Sequence, residues 1–301
     1  MKKVEVLMST YNGEKYIREQ IDSVLQQTDV NLHIYARDDG SCDKTKEILR
    51  EYEEKGYLNW YDGVNLGAKF SFLDVINKAG DSDYYALCDQ DDIWLPNKLA
   101  EAVKKLEKYS DKKPLLYYSE TMQVNNELKK TRKQFHSGEP YKFGQIMIKN
   151  HASGCTMVFN KTLQKLLKYP GLHGLERIPY HDHWIYMVCL ACGGEVIYDT
   201  NSYILYRQHG NNVIGANRGV ICKLKQNGIL NHDCNRYYWA KELYSAYEND
   251  ISDDAKDLLK IIINYKTSME NKLKLALNRN IKPKSKLEKI IIFISVLQER
   301  F

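Results

Sequence analysis

The sequence predicts an α/β protein in which a mixed, mainly parallel sheet is flanked by helices and followed by a helical C-terminal appendage. Three observations carry this. Between residues 4 and 109, apolar runs of strand length alternate four times with stretches of helical spacing, and such alternation implies parallel strands joined by crossover helices. After residue 119 the alternation loosens and then returns as shorter apolar strands. Beyond Gly219, proline is absent until Pro283 and apolar residues keep helical spacing (Leu258, Leu259, Ile262, Ile263).

In order, Val4-Glu-Val-Leu-Met8 reads as a buried strand, and Gly13 to Gln27 places Tyr16, Ile17, Ile21, Val24 and Leu25 at helical spacing. The unit repeats as strand Leu32 to Ala36 with helix Lys44 to Lys55, strand Leu58 to Tyr61 with helix Ala68 to Ala79, and strand Tyr84 to Cys88 with helix Pro96 to Tyr109. Leu115 to Ser119 adds a strand. Thr156 to Phe159 and Glu195 to Tyr198 bracket a helix from Asp182 to Cys192, and Tyr203 to Tyr206 resembles a short edge strand. The expected division is a domain over 1–218, itself split at 119/120, and a helical region over 219–301.

At 43% hydrophobic and 28% charged residues the chain is globular in composition, which excludes disordered and fibrous classes. The longest apolar run, Ile290 to Val296, is about a third of the ~20 residues a bilayer span requires. Glu5 interrupts the first apolar stretch, so no secretory signal is expected and the chain is expected in the cytoplasm. Seven cysteines, an odd and scattered set, fit a reducing compartment. Cys189 and Cys192 share a buried helical face, with no second pair to complete a zinc site. From Asn271 onward eight basic residues face two acidic ones, a net of +6 against +5 for the whole chain. The basic pI belongs to the tail.

Ligands of open α/β sheets bind beyond the carboxyl ends of the strands, and the segments there are acidic: Ser9-Thr-Tyr-Asn-Gly-Glu14, Asp38-Asp-Gly-Ser-Cys-Asp43 and Asp89-Gln-Asp-Asp92. Each alone could be a cap or turn. Three at neighbouring strand ends would repel one another unless a cation arrives, which points to a divalent metal. The first turn lacks the glycine fingerprint of dinucleotide binders, and no P-loop is present. A nucleotide whose phosphates are reached through a metal, and whose base and ribose meet carboxylates, remains.

Val6-Leu-Met-Ser-Thr-Tyr-Asn-Gly, Asp38-Asp-Gly-Ser-x-Asp-x-Thr45, Asn65-Leu-Gly67 and Cys88-Asp-Gln-Asp-Asp-Ile-Trp94 resemble, in order, the signatures of family 2 inverting glycosyltransferases. Ser153-Gly-Cys155, His181-Asp-His-Trp184 and Tyr206-Arg-Gln-His-Gly-Asn-Asn212 resemble the branch containing bacterial rhamnosyltransferases of polysaccharide assembly. The match runs from about residue 4 to 215. It implies the Rossmann-like GT-A fold, with a nucleotide-sugar-binding half over 1–119 and an acceptor half over 120–218.

By the same resemblance, Tyr11 and Asp39 fall where the donor base is held, with Ser9 and Asn12 lining that pocket. Asp89 falls near the ribose and Asp91 on the Mg²⁺ or Mn²⁺, or Asp92 if the register is shifted by one. Asp182 matches the general base, Arg207 and His209 fall in a loop closing over the diphosphate, and His209 is a third metal ligand. Chemistry agrees: a hard cation shared between carboxylate and diphosphate absorbs charge on the leaving group, and a carboxylate takes the acceptor proton while the anomeric centre inverts. Trp184 beside Asp182 is expected to raise the affinity of that base for a proton.

The implied enzyme is a metal-dependent inverting hexosyltransferase moving L-rhamnose from dTDP-rhamnose to a cell-surface polysaccharide or lipid-linked glycan. Another hexose from a UDP or dTDP donor, or a non-catalytic sugar-nucleotide-binding assembly subunit, stands as the alternative. No nucleic acid partner is expected. In the tail, Leu287, Ile290, Ile291, Ile294, Leu297 and Phe301 form one helical stripe beside Lys286, Lys289 and Arg300. Such a helix suits peripheral contact with an anionic membrane, or packing onto the domain or onto a second copy in a homodimer.

Overall fold

The computed structural model describes residues 1–134, 139–168, 175–208, 236–281, 283 and 285–301, with the backbone alone for 132–134. His209 lies outside the described residues. Nine strands form one sheet in the order β3-β2-β1-β4-β8-β6-β9-β5, with β7 paired to β6. They are β1 (Lys3–Thr10), β2 (Asn31–Asp38), β3 (Leu58–Asp62), β4 (Tyr84–Cys88), β5 (Ile93–Trp94), β6 (Leu115–Val124), β7 (Lys130–Gln134), β8 (Val158–Asn160) and β9 (Glu195–Arg207). Helices α1 (Ile17–Leu25), α2 (Thr45–Glu54), α3 (Gly67–Lys78) and α4 (Lys98–Leu106) follow the first strands as the spacing predicts.

Alternation builds the core. Val4, Val6 and Met8 of β1, Ile34 and Ala36 of β2, and Tyr84, Ala86 and Cys88 of β4 share a buried cluster with Ile17, Ile21 and Val24 of α1, Ile48 and Leu49 of α2, and Leu99, Ala102 and Leu106 of α4. The intervening Leu7, Tyr85 and Leu87 are buried as well, and the ring of Tyr85 stacks on that of Phe159 at 5.8 Å. Burial on both faces explains why these strands read as continuous apolar runs.

The second half departs from a parallel plan, because β4–β8, β6–β8, β6–β7 and β5–β9 are antiparallel. Tyr203 to Tyr206 is not an edge strand. It belongs to β9, which lies parallel to β6 with Tyr206 opposite Gln123, and pairs with β5 through Ile204 and Trp94. The polar Thr200-Asn201-Ser202 that reads as a break lies where the β6–β9 register shifts, and the Asp199 carboxylate accepts from the Asn201 backbone N–H at 3.0 Å. Strand β7 escapes sequence detection because it pairs with β6 alone and needs no apolar face.

By internal contacts the chain forms two compact units, one of residues 1–140, 152–172 and 194–213, the other of 141–151, 173–193 and 214–301. The first holds the whole sheet and α6 (Lys161–Leu167). In the second are α5 (Phe143–Ile146), α7 (His181–Ala191), α8 (Arg236–Tyr247), α9 (Asp253–Asn264), α10 (Met269–Ala276) and α11 (Lys286–Leu297). This division differs from a boundary at 218/219 because α7 packs on the late helices. The His183 ring meets Trp239 edge-on at 5.1 Å, Trp184 lies 6.2 Å from Tyr247, and Ser252 N donates to Ala191 O at 2.9 Å. No helix among the described residues is long and apolar enough to cross a membrane.

Candidate functional site

The order β3-β2-β1-β4 places the direction switch of the parallel strands between β1 and β4, so a crevice opens beyond their carboxyl ends. Three of the acidic segments read from the sequence meet there. Tyr11 N donates to Gln90 Oε1 at 2.8 Å, and Gln90 Nε2 returns to Tyr11 O at 2.9 Å. The loop after β1 is thereby bound to the loop after β4. Asn12 N donates to Ser41 Oγ at 2.8 Å, Cys42 N to Asn12 Oδ1 at 2.9 Å, and Gly13 N to Thr45 Oγ1 at 2.8 Å. These bonds tie it to the loop after β2. Asn12 takes a left-handed φ of 46°, a conformation asparagine tolerates better than most residues.

The clamped Tyr11 is 46% exposed, an aromatic residue at the mouth of this loop. Ser9 instead turns inward, with its Oγ 2.6 Å from Ser71 Oγ. At Gly13 a Cβ would lie 2.3 Å from Gln90 Oε1. Gly13→Ala therefore displaces the Gln90 amide and breaks its two bonds to Tyr11, at a cost of about 1–2 kcal/mol. The expected result is a lower urea midpoint together with a raised donor KM.

Asp38 and Asp39 divide the work of the second loop. Asp38 is fully buried, and its carboxylate accepts from Ser41 N and Oγ at 2.8 and 2.6 Å and from Thr10 Oγ1 at 2.9 Å. Asp39 is 2% exposed. Its Oδ1 accepts from Arg37 Nη1 and from Leu66 N, the latter at 2.8 Å, while Oδ2 accepts from Gly67 N at 2.8 Å. The Asn65-Leu-Gly67 turn is thus held on Asp39, and Gly67 supplies the positive φ of 76° the turn adopts. Arg37, equally buried, also donates to Asp74 at 2.9 Å, Ser71 Oγ at 3.0 Å and Val64 O at 2.9 Å. Arg37→Met leaves Asp39 buried without its cation and is expected to cost about 3 kcal/mol, read by urea denaturation.

The segment after β4 concentrates carboxylates. Asp89 and Asp91 are half-buried, whereas Asp92 is 1% exposed. Asp92 Oδ1 accepts from Arg207 N at 3.0 Å, and among the described residues its Oδ2 meets no hydrogen-bond donor at normal distance, with the Cys155 thiol alongside. Burial, then the charges of Asp91 and Asp89, push the Asp92 carboxyl well above the ordinary range. Ligand atoms of Asp89, Asp92 and Cys155 lie within 4.8 Å of one another. A buried carboxylate oxygen beside further carboxylates fits a divalent cation with oxygen ligands. Burial raises the Cys155 thiol, and a protonated thiol is no ligand for a hard ion. Beneath the segment Lys98 is 1% exposed, its Nζ 3.5 Å from the Trp94 ring centroid, and burial lowers its pKa to about 8.

Arg207, expected from the sequence in the loop over the diphosphate, is 2% exposed and bonded to three neighbours. Nε donates to Asp91 O at 2.9 Å, Nη1 to Asn126 O at 2.9 Å and Nη2 to Glu19 at 2.5 Å, with the Tyr16 ring 4.5 Å away. The end of β9 braces the acidic segment through this side chain.

In the second unit, Asp182 sits half-buried in the first turn of α7, where the helix dipole favours negative charge. Its Oδ1 accepts from His183 N at 2.7 Å. Tyr180, the N-cap, makes no side-chain cap bond. Buried His183 bonds through Nε2 to Ile146 O at 2.5 Å, and burial takes its pKa down to about 4, so it is a neutral packing residue. Trp184 is 1% exposed and belongs to the core of this unit.

Sequence reasoning did not single out Arg37, Gln90 or Lys98. A signal existed for two of them. Arg37 is a lone cation in an apolar strand, and Lys98 shares the spacing of the buried Ala102 and Leu106 on α4.

A family model described as glycosyl transferase family 2 matches residues 5–167. The chain is 29% identical over 262 residues to the dTDP-rhamnosyl transferase RfbG of Shigella flexneri, covering 82% of this chain and 86% of that protein. S. aureus TarS 1–349 in complex with UDP-GlcNAc superposes with a TM-score of 0.56 at 19% identity, over 99% of this chain and 80% of that one. The mannosyltransferase PcManGT of Pyrobaculum calidifontis, solved with GDP-Man and Mn²⁺, gives a TM-score of 0.50 at 15% identity, over 99% and 88%. These structural likenesses carry the fold, and the expected GT-A architecture is the one observed.

Proposed function

Since the chain belongs to glycosyl transferase family 2, we propose that it transfers L-rhamnose from dTDP-rhamnose, with inversion, to a hydroxyl of a cell-surface polysaccharide or lipid-linked glycan. The carrying observation is the binding of the loop after β1 to the loops after β2 and β4 at the switch point, with ligand atoms of Asp89 and Asp92 within 4.8 Å of each other in the segment that also carries Asp91. Similarity to RfbG along most of both chains supports the rhamnosyl donor.

Tyr11 stacks on the base, and Asp39, which holds the Asn65-Leu-Gly67 turn through Leu66 N and Gly67 N, shapes the pocket that receives it. Asp89 meets the ribose. Asp91, half-buried at the rim, holds the metal, with Asp92, whose carboxylate lies in the cluster with Asp89, as the ligand if the register is shifted by one. Mg²⁺ or Mn²⁺ bound there supplies charge neutralisation for the departing nucleoside diphosphate. Asp92 and Arg207 hold the segment in place. Asp182 takes the acceptor hydroxyl proton as the new glycosidic bond forms opposite the leaving group. His209, in the segment expected to reach the diphosphate, completes the set.

Thermal unfolding with Mn²⁺ and a panel of dTDP-rhamnose, UDP-glucose, UDP-GlcNAc and GDP-mannose tests the donor. Saturation at about 100 Kd adds about 2.7 kcal/mol, a shift of several degrees at this size. The largest shift is expected with dTDP-rhamnose. A larger one with a UDP-hexose moves the assignment to that donor, and none with any member contradicts the reading.

A further inference from the structure

Within the second unit, α10 and α11 pack against each other, and Lys272 Nζ reaches Glu299 at 2.8 Å. The apolar residues of the terminal helix and of Phe301 beyond it fall into two sets. Ile292, Val296 and Phe301 are buried, whereas Leu287, Ile290 and Ile294 are 61%, 57% and 46% exposed. Their spacing of three and four residues puts them on one face of α11. Met269, Leu273 and Leu277, spaced by four along α10 and its C-cap, are exposed too. Bulky apolar side chains concentrated in this way on a folded surface mark a site of contact.

The charges around them say with what. Lys286 and Lys289 flank the stripe on α11, and Lys274 and Arg279 accompany the stripe on α10, all four exposed. Glu270 is the exposed acid of these two helices. An isologous contact with a second copy would set the same cations against themselves. An anionic surface neutralises them and takes up the apolar side chains at once.

We propose that the exposed faces of α10 and α11 dock this protein on an anionic lipid membrane, with Leu287, Ile290 and Ile294 entering the headgroup boundary and Lys286 and Lys289 meeting acidic headgroups. Flotation of the full chain with phosphatidylcholine vesicles, with or without 30% phosphatidylserine, reads this directly and independently of any transferase activity. Binding is expected to the anionic vesicles alone at low salt, and to fall at high salt as screening sets in.

Replacing Leu287, Ile290 and Ile294 together with Gln should abolish flotation while the melting temperature holds. Removing Lys286 and Lys289 should weaken it by about fivefold per lysine; these two side chains are exposed, so this variant carries the test if the triple one loses its fold. A full chain that ignores anionic vesicles at low salt overturns the proposal, as does a folded triple variant that floats like the parent. So does light scattering that finds a dimer which the triple variant converts to a monomer.

Discussion

Asp91→Ala is expected to abolish sugar transfer while leaving the protein folded. The side chain is half-buried at the rim rather than in the core, and the bond from Arg207 Nε is made to the Asp91 carbonyl, which the substitution retains. Loop geometry therefore survives and the loss falls on the chemistry. A carboxylate that fixes the ion opposite a departing diphosphate stabilises charge that develops in the transition state, worth several kcal/mol, so kcat/KM should drop by about 10³-fold or more. Mn²⁺ affinity, followed by titration calorimetry with the donor present, should fall in parallel. Asp92→Ala should behave differently. It opens a gap in a buried site and removes the acceptor for Arg207 N, so it should lower the unfolding midpoint as well as the rate. Undiminished turnover in Asp91→Ala would remove that residue from the mechanism.

The second large effect is expected at Asp182. Asp182→Asn keeps the size of the side chain and an oxygen able to accept from His183 N, while removing the capacity to take a proton. If Asp182 is the base, kcat should fall by about 10²–10⁴ with donor affinity nearly unchanged. Kinetics paired with the donor-induced thermal shift separate this from a structural role, in which stability and donor binding would decline with the rate. The same role requires inversion. Proton NMR of the first product should show the anomeric configuration opposite to the donor's, and retention would contradict it.

Legibility in the sequence followed the physics of each segment. Strands β1 and β4 were readable because they are buried on both faces, β2 and β3 because short apolar runs sit between turn formers, and helices α1 to α4 because each shows a local 3.6-residue pattern. Strands β5 and β7 and the continuity of β9 were not, because two residues, a polar outer strand and a register shift carry no periodic signal. At the site, the acidic loops stand out by composition. Their internal wiring does not. Tyr11 and Gln90 are 79 residues apart, and Arg207 and Asp91 are 116 apart, so only the folded chain shows that Gln90 is a clamp and that Arg207 braces the acidic segment. Helix α7 was found, yet its place with the C-terminal helices rests on contacts such as His183 with Trp239, which no local pattern announces.

Release of dTDP from dTDP-L-rhamnose by the full chain, with and without divalent metal, tests the central claim most directly. With Mn²⁺ or Mg²⁺ present, slow hydrolysis is expected without an acceptor; it should stop in excess EDTA, return on adding Mn²⁺, and be missing in Asp91→Ala. Undiminished release in EDTA, or no release from any nucleotide sugar by a folded, metal-supplied protein, would contradict the account.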